Sequence, residues 1–192
     1  MHNFAAPKPG RDPKCILILG TNGTGKSTLA CNMMNDAGKG LMVLPQFDDW
    51  AEMLPPTNIY SKKQLEYTGI KHHIYKNDDD FAAIFKNYHN GILTLDDCRV
   101  YVKSDLRHSH LFPILQRRRQ MMCDIILMAH GFKTTPPQFF TFITDYVIFK
   151  VNDSPDIRKM DLGTNYDIVS KTVEQVRAMA EKQYNVFKWI KV

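Results

Sequence analysis

The residues best able to do chemistry in this chain are a glycine-rich run and the lysine after it. Gly20, Thr21, Asn22, Gly23, Thr24, Gly25, Lys26 and Ser27, followed by Thr28, fit G-x-x-x-x-G-K-[ST] at every position. Glycines let the backbone wrap closely round an anion, so that successive N–H groups and a helix N-terminus face phosphate oxygens. In such a loop Lys26 reaches the β- and γ-phosphates of a nucleotide and the Ser27 hydroxyl ligates Mg²⁺. The expected ligands are therefore ATP and Mg²⁺.

A phosphate loop needs a carboxylate on the metal side. Two acids, Asp96 and Asp97, follow the apolar run Ile92–Leu95. Ligands in open α/β sheets bind at the carboxyl ends of strands. Asp96 is expected to hold Mg²⁺ through water, and Asp97 to act as general base on the attacking water. Asp48 and Asp49, and the acids at 78–80, rank lower because no strong apolar strand precedes them. His130 ends the apolar run that starts at Asp124 and is placed to sense the γ-phosphate. Arg117, Arg118 and Arg119 precede that run, with Arg99 and Arg107 upstream. One arginine supplied by a neighbouring copy would stabilise charge on the transferring phosphoryl group. Arg119 is the first choice and Arg107 the second. These arginines, taken together, place positive charge beside the nucleotide face. His72, His73, His108 and His110 lack Cys or carboxylate partners at ligand spacing and read as ordinary histidines. Phe139, Phe140 and Phe142 read as core packing.

These residues need elements to position them. The reading is a strand at 15–19, a helix over 26–35 closed near Gly38, and a strand at 40–44 bounded by Pro45. The segment 46–76 is hard to assign beyond a loop at Pro55 and Pro56 and a strand at 70–76. A helix over 77–88 with an acidic first turn ends at Gly91, and a strand carries Asp96. One helix over 112–122, a strand at 124–130, a short helix started by residues 134–140 and a strand at 146–151 follow. The tail is an amphipathic helix over 168–182 and a last strand at 185–192. Apolar strands alternating with helices give an α/β fold with a mostly parallel sheet covered on both faces. The long interval between Lys26 and the acids holds a whole strand and helix. It favours the additional-strand class of P-loop ATPases over small-molecule kinases.

The bulk numbers bound this reading without deciding it. The chain has 192 residues, 44% hydrophobic and 23% charged, an ordinary globular balance for one domain. A net charge of +5 permits an anionic partner but does not show one. No apolar run approaches a membrane span, and residues 1–14 carry three prolines and no secretory signal. That stretch reads as a mobile basic arm before a single domain at 15–192. Cys15, Cys31, Cys98 and Cys123 form no CxxC pair and read as buried thiols. A nucleotide or small-molecule kinase and a non-hydrolysing nucleotide-binding assembly protein stay open as alternatives. The shorter side chain of Asp97, where a base is often Glu, supports the latter.

The order of these motifs resembles the FtsK/HerA superfamily of P-loop ATPases. Within it, the chain is most similar to viral genome-packaging ATPases and zonula occludens toxin-like phage assembly ATPases. The resemblance rests on ILGTNGTGKST, ILTLDD, RRRQMMCDIILMAH and DYVIFKV with its helical tail, and covers most of residues 15–192. It implies a three-layer RecA-like core and a ring, hexameric in the family, that couples ATP hydrolysis to DNA movement. It implies the same roles for Lys26, Ser27, Asp96, Asp97 and His130. Viral DNA, further copies of the chain, and capsid or membrane-vertex proteins are the implied partners. The implied location is the host cytoplasm or the virion. The chain departs from the family in having Asp97 where Glu is usual and His130 where Gln or Thr is frequent. It also has no membrane span after the domain, which favours a packaging motor over an extrusion protein.

Overall fold

A computed structural model describes residues 12–102 and 105–192. The expected mobile arm falls mostly on residues 1–11, outside the described residues. Its last residues are fastened: Arg118 Nε donates to the Pro13 carbonyl at 3.0 Å, and Lys14 Nζ donates to Asp145 at 3.0 Å.

The strands are β1 Cys15–Leu19, β2 Lys39–Leu44, β3 Gly69–Ile74, β4 Ile92–Leu95, β5 Asp124–Ala129, β6 Asp145–Ile148 and β7 Lys188–Lys191. They form one seven-stranded sheet in the order β3-β2-β4-β5-β1-β6-β7. Every pairing is parallel except β6 with β7. The strand β5 lies between β1, which carries the phosphate loop, and β4, which carries the acids. That inserted strand is the feature expected from the long interval between Lys26 and Asp96.

The helices are α1 Lys26–Ala37, α2 Asp49–Met53, α3 Asp79–Asn87, α4 Leu111–Gln116, α5 Arg118–Met121, α6 Lys159–Leu162 and α7 Tyr166–Ala180. Strand residues alternate between two cores because successive side chains point to opposite faces. Ile16 and Ile18 pack with Ala30, Met33 and Met34 of α1 on one face. Cys15, Leu17 and Leu19 pack with Phe81, Ile114 and Val173, from α3, α4 and α7, on the other. The result is three layers, the RecA-like α/β arrangement. All four cysteines are buried and free. Phe139 and Phe140 are core residues, and Phe142 packs against the core. Among the described residues no helix is long and apolar enough to cross a membrane.

Several boundaries differ from expectation. The single helix over 112–122 is broken at Arg117, whose φ of −105° and ψ of 21° leave the α region. A continuous helix would align Arg118 and Met122 with the buried Leu111, Ile114 and Leu115. The break turns Met121 into the core instead, and Met122 closes α5 in a left-handed conformation. Helix α3 ends at Asn87, and the left-handed residue after it is Asn90, not Gly91. The last strand begins at Lys188 rather than 185, because Asn185 has a φ of 59° and cannot continue an extended chain. The difficult segment 46–76 contains α2 and a stretch that pairs along the outer edge of β3. His72 N–H donates to the Pro55 carbonyl and Thr57 N–H to the His72 carbonyl. This covers the edge strand's exposed backbone groups.

Candidate nucleotide site

Six parallel strands end on one edge of the sheet, so the residues after each of them converge there. Gly20 follows β1, Pro45 follows β2, Asp96 follows β4 and His130 follows β5. Lys26, Ser27, Asp48, Asp96, Asp97 and His130 line a single cleft of about 760 Å³. The structure thus brings together the predicted loop, both acids and the histidine.

The loop is shaped by two glycines with positive φ, Gly23 at 74° and Gly25 at 94°, the latter capping α1. L side chains adopt such angles at a cost, which glycine avoids. Thr24 Oγ1 and Lys26 Nζ both donate to the Thr21 carbonyl, at 2.8 and 3.0 Å. Thr21 N–H is fixed on the Lys150 carbonyl at 2.9 Å. By contrast, the N–H groups of residues 22–28 donate to no acceptor among the described residues. A run of free N–H groups at a helix N-terminus is an anion cradle.

The charges of the cleft are held against solvation. Burial lowers the Lys26 pKa, and Asp96 and Asp97 partly offset that shift. Burial raises the Asp96 pKa, Asp48 and Asp97 add to the rise, and the Asp97 N–H and Lys26 oppose it. Asp96 is tied to β2 through its own N–H on the Val43 carbonyl at 3.1 Å. Asp97 has left-handed backbone, φ 44° and ψ 68°, unusual for a residue other than glycine. One of its oxygens, Oδ2, accepts from Arg99 Nε at 3.0 Å. The other, Oδ1, is buried with no hydrogen-bond partner. A buried, orphaned carboxylate oxygen needs a proton donor or a cation. Mg²⁺ with its waters fits the oxygen donors of this cleft, the Asp96 and Asp97 carboxylates and the Ser27 hydroxyl.

Asp48 was ranked low from sequence and belongs to the cleft. The reason is that β2 is a real buried strand, and its carboxyl end delivers the chain to Asp48. That carboxylate caps α2 by accepting from Trp50 and Ala51 N–H groups, at 3.0 and 3.1 Å. The alternation of strands and breakers already contained this signal. Asn185 also reaches the cleft, from the far end of the chain, and no local pattern announces it.

The arginines divide. Arg99 sits on Asp97. Arg107 is exposed and clasps Asp105. Arg119 lies at the opposite edge of the sheet, just before β5 begins, and pairs with Asp12 at 2.5 Å. Arg117 and Arg118 share that edge, because a parallel strand must start at the end remote from the ligand. The expectation that residues 117–119 flank the nucleotide face within one chain is therefore corrected.

No sequence-family model matches the chain, and no curated protein does. Solved structures do match in fold. The genome packaging NTPase B204 from Sulfolobus turreted icosahedral virus 2, in complex with AMP, superposes with a TM-score of 0.69 at 14% identity. That alignment covers 94% of this chain and 93% of the other. The fold is that of a RecA-like P-loop NTPase. B204, the DNA-packaging ATPase from Sulfolobus turreted icosahedral virus, gives 0.67 at 13% identity, over 94% of this chain and 98% of that one.

Proposed function

We propose that this chain is an ATP-hydrolysing motor subunit that moves DNA, of the viral genome-packaging type and the FtsK/HerA superfamily. The observation that carries the reading is the free N–H cradle of residues 22–28 lining the same cleft as Asp96 and the orphaned oxygen of Asp97. An anion cradle and acids in one cleft suit a nucleoside triphosphate with its metal and the water that attacks it. The likeness in fold to genome-packaging NTPases along nearly the whole chain points to the packaging task.

In this reading the N–H cradle and Lys26 bind the phosphates, with Lys26 released from the Thr21 carbonyl. Ser27, and Asp96 through water, would hold Mg²⁺, which would supply charge neutralisation at the transferring phosphoryl group. Asp97 accepts the proton of the water that attacks the γ-phosphorus, and ADP departs. His130 reports the state of that phosphate to the 130–135 loop. A ring of copies supplies a further arginine to this cleft, where Arg99 is held on Asp97. Arg107 suits that role better than Arg119. It is exposed, and its neighbours Asp105 and His108 share a hollow with Tyr75 and Tyr101 near the carboxyl edge. Arg119 is as exposed and also paired with an acid, but it lies at the far edge.

The test is ATP turnover measured against protein concentration, with and without DNA, beside Lys26→Ala. Turnover that rises above a concentration threshold, is stimulated by DNA and vanishes in Lys26→Ala is expected. Robust turnover indifferent to every DNA and to concentration sinks the motor reading.

A further inference from the structure

Two buried carboxylate oxygens have no hydrogen-bond partner among the described residues, Asp97 Oδ1 and Asp153 Oδ1. The first lies in the nucleotide cleft. The second lies beyond the end of β6 at Ile148, in a turn that the reaction above does not use. No cation pairs with Asp153 among the described residues. A bare buried oxygen is costly, and such costs persist where the surroundings impose them, often at functional sites.

Asp153 is built onto the loop that follows His130. Its carboxylate fills the space that a side chain at residue 131 would need. A Cβ on Gly131 would lie 2.5 Å from Oδ1 and 2.7 Å from Oδ2. Oδ2 also accepts from the Lys133 N–H at 2.6 Å. Within the loop, the Gly131 N–H donates to Thr134 Oγ1 at 3.2 Å, and Thr135 Oγ1 donates to the Gly131 carbonyl at 2.9 Å. Arg158, at the end of the turn Pro155–Arg158, donates to the carbonyls of Phe132, Lys133 and Thr135, at 3.1, 3.3 and 3.1 Å. Arg177 of α7 donates to the Asp153 carbonyl at 2.7 Å, so the backbone beneath the carboxylate is itself anchored.

One residue separates Ala129, the end of β5, from Gly131, and it is His130. A contact that sets Gly131 therefore sets the direction in which the imidazole leaves the strand. We propose that Asp153 is a positioning residue for ATP turnover, holding His130 toward the γ-phosphate through Gly131 and Lys133. The two oxygens divide this work. Oδ2 ties the loop through the Lys133 N–H, and Oδ1 is a stop that blocks Gly131 from one side without bonding to it. An acid that only fastens the fold has both oxygens occupied, as Asp145 has. The proposal rests on the reading of His130 as the group that meets the γ-phosphate. It deepens that reading by naming what aims the imidazole.

The experiment measures kcat and KM for ATP, with Mg²⁺ and DNA, in the full chain and five variants. These are Asp153→Ala, Gly131→Ala, Asp153→Asn, His130→Ala and the double variant His130→Ala/Asp153→Ala. Asp153→Ala deletes the stop and Gly131→Ala displaces it, so either carries the test if the other fails to fold. Each is expected to lower kcat about tenfold, within the ~10²-fold that a misplaced group can cost. KM for ATP should stay unchanged, because the phosphate loop is untouched. Asp153→Asn still accepts from Lys133 and should keep most of the turnover. Once His130 is gone, Asp153→Ala should have no further effect on kcat, since the two changes act through one group. An equal further loss in the double variant assigns Asp153 a purely structural role and overturns the proposal. Normal kcat in Asp153→Ala overturns it too, as does Asp153→Asn turning over as slowly as Asp153→Ala. If His130→Ala itself turns over normally, the sensor reading falls and this proposal with it.

Discussion

The same strands end in two different kinds of edge. At the amino edge, buried carboxylates are saturated. Asp145, 1% exposed, accepts from Lys14 Nζ, Thr144 Oγ1 and Trp189 Nε1 at 3.0, 2.8 and 2.8 Å. Asp124, also buried, accepts from the Lys14 N–H at 2.8 Å. At the carboxyl edge, Asp97 keeps an orphaned oxygen, Asp96 is pushed toward its neutral form, and Lys26 rests on a carbonyl. Satisfied buried acids fasten a structure, whereas unsatisfied ones store a demand for a ligand. The contrast shows which carboxylates serve the fold and which serve the chemistry, and it can be broken at either edge.

The largest effect is expected from Asp97→Asn. Removing a general base costs about 10²–10⁴-fold in turnover. Thermal melting should not drop, since one oxygen of the carboxylate is unsatisfied and the Asn carbonyl can still accept from Arg99. A variant that melts far lower but turns over normally would move Asp97 into the structural class. Next comes Asp145→Ala, which strands three donors. Leaving such groups unpaired costs on the order of 2–4 kcal/mol of stability. Denaturant unfolding should show that loss, with turnover per folded molecule unchanged.

The smallest effect concerns pH. Because the Asp96 pKa is raised in the folded state, the unfolded chain releases this proton first as pH rises. Ionisation therefore destabilises the fold progressively above about pH 3.9, the unfolded value. Asp96→Asn escapes this, so its melting-temperature gain over the unaltered chain should grow from pH 3 toward pH 7. A gain that shrinks over that range would place Asp96 among the fastened acids.

Much of the site is legible in the sequence. A glycine loop after Cys15–Leu19, two acids after Ile92–Leu95 and a histidine after Asp124–Ala129 are each read from a few adjacent residues. Strand ends carry ligands in this architecture, so local reading suffices for them. The helix over 112–122 was legible as helical, but its break was not, because the turn that buries Met121 answers to the core.

What the sequence by itself determined is the set of groups that can hold phosphate and metal, since motif and strand polarity are local. The tertiary structure alone decided which distant residues join or leave that set. Sheet order sends Arg119 to the far edge and brings Asp48 beside Asp96. The antiparallel return into β7 lays Tyr184 and Asn185 over Gly23 and Gly25. These placements depend on packing between segments far apart in the chain, where no spacing rule operates.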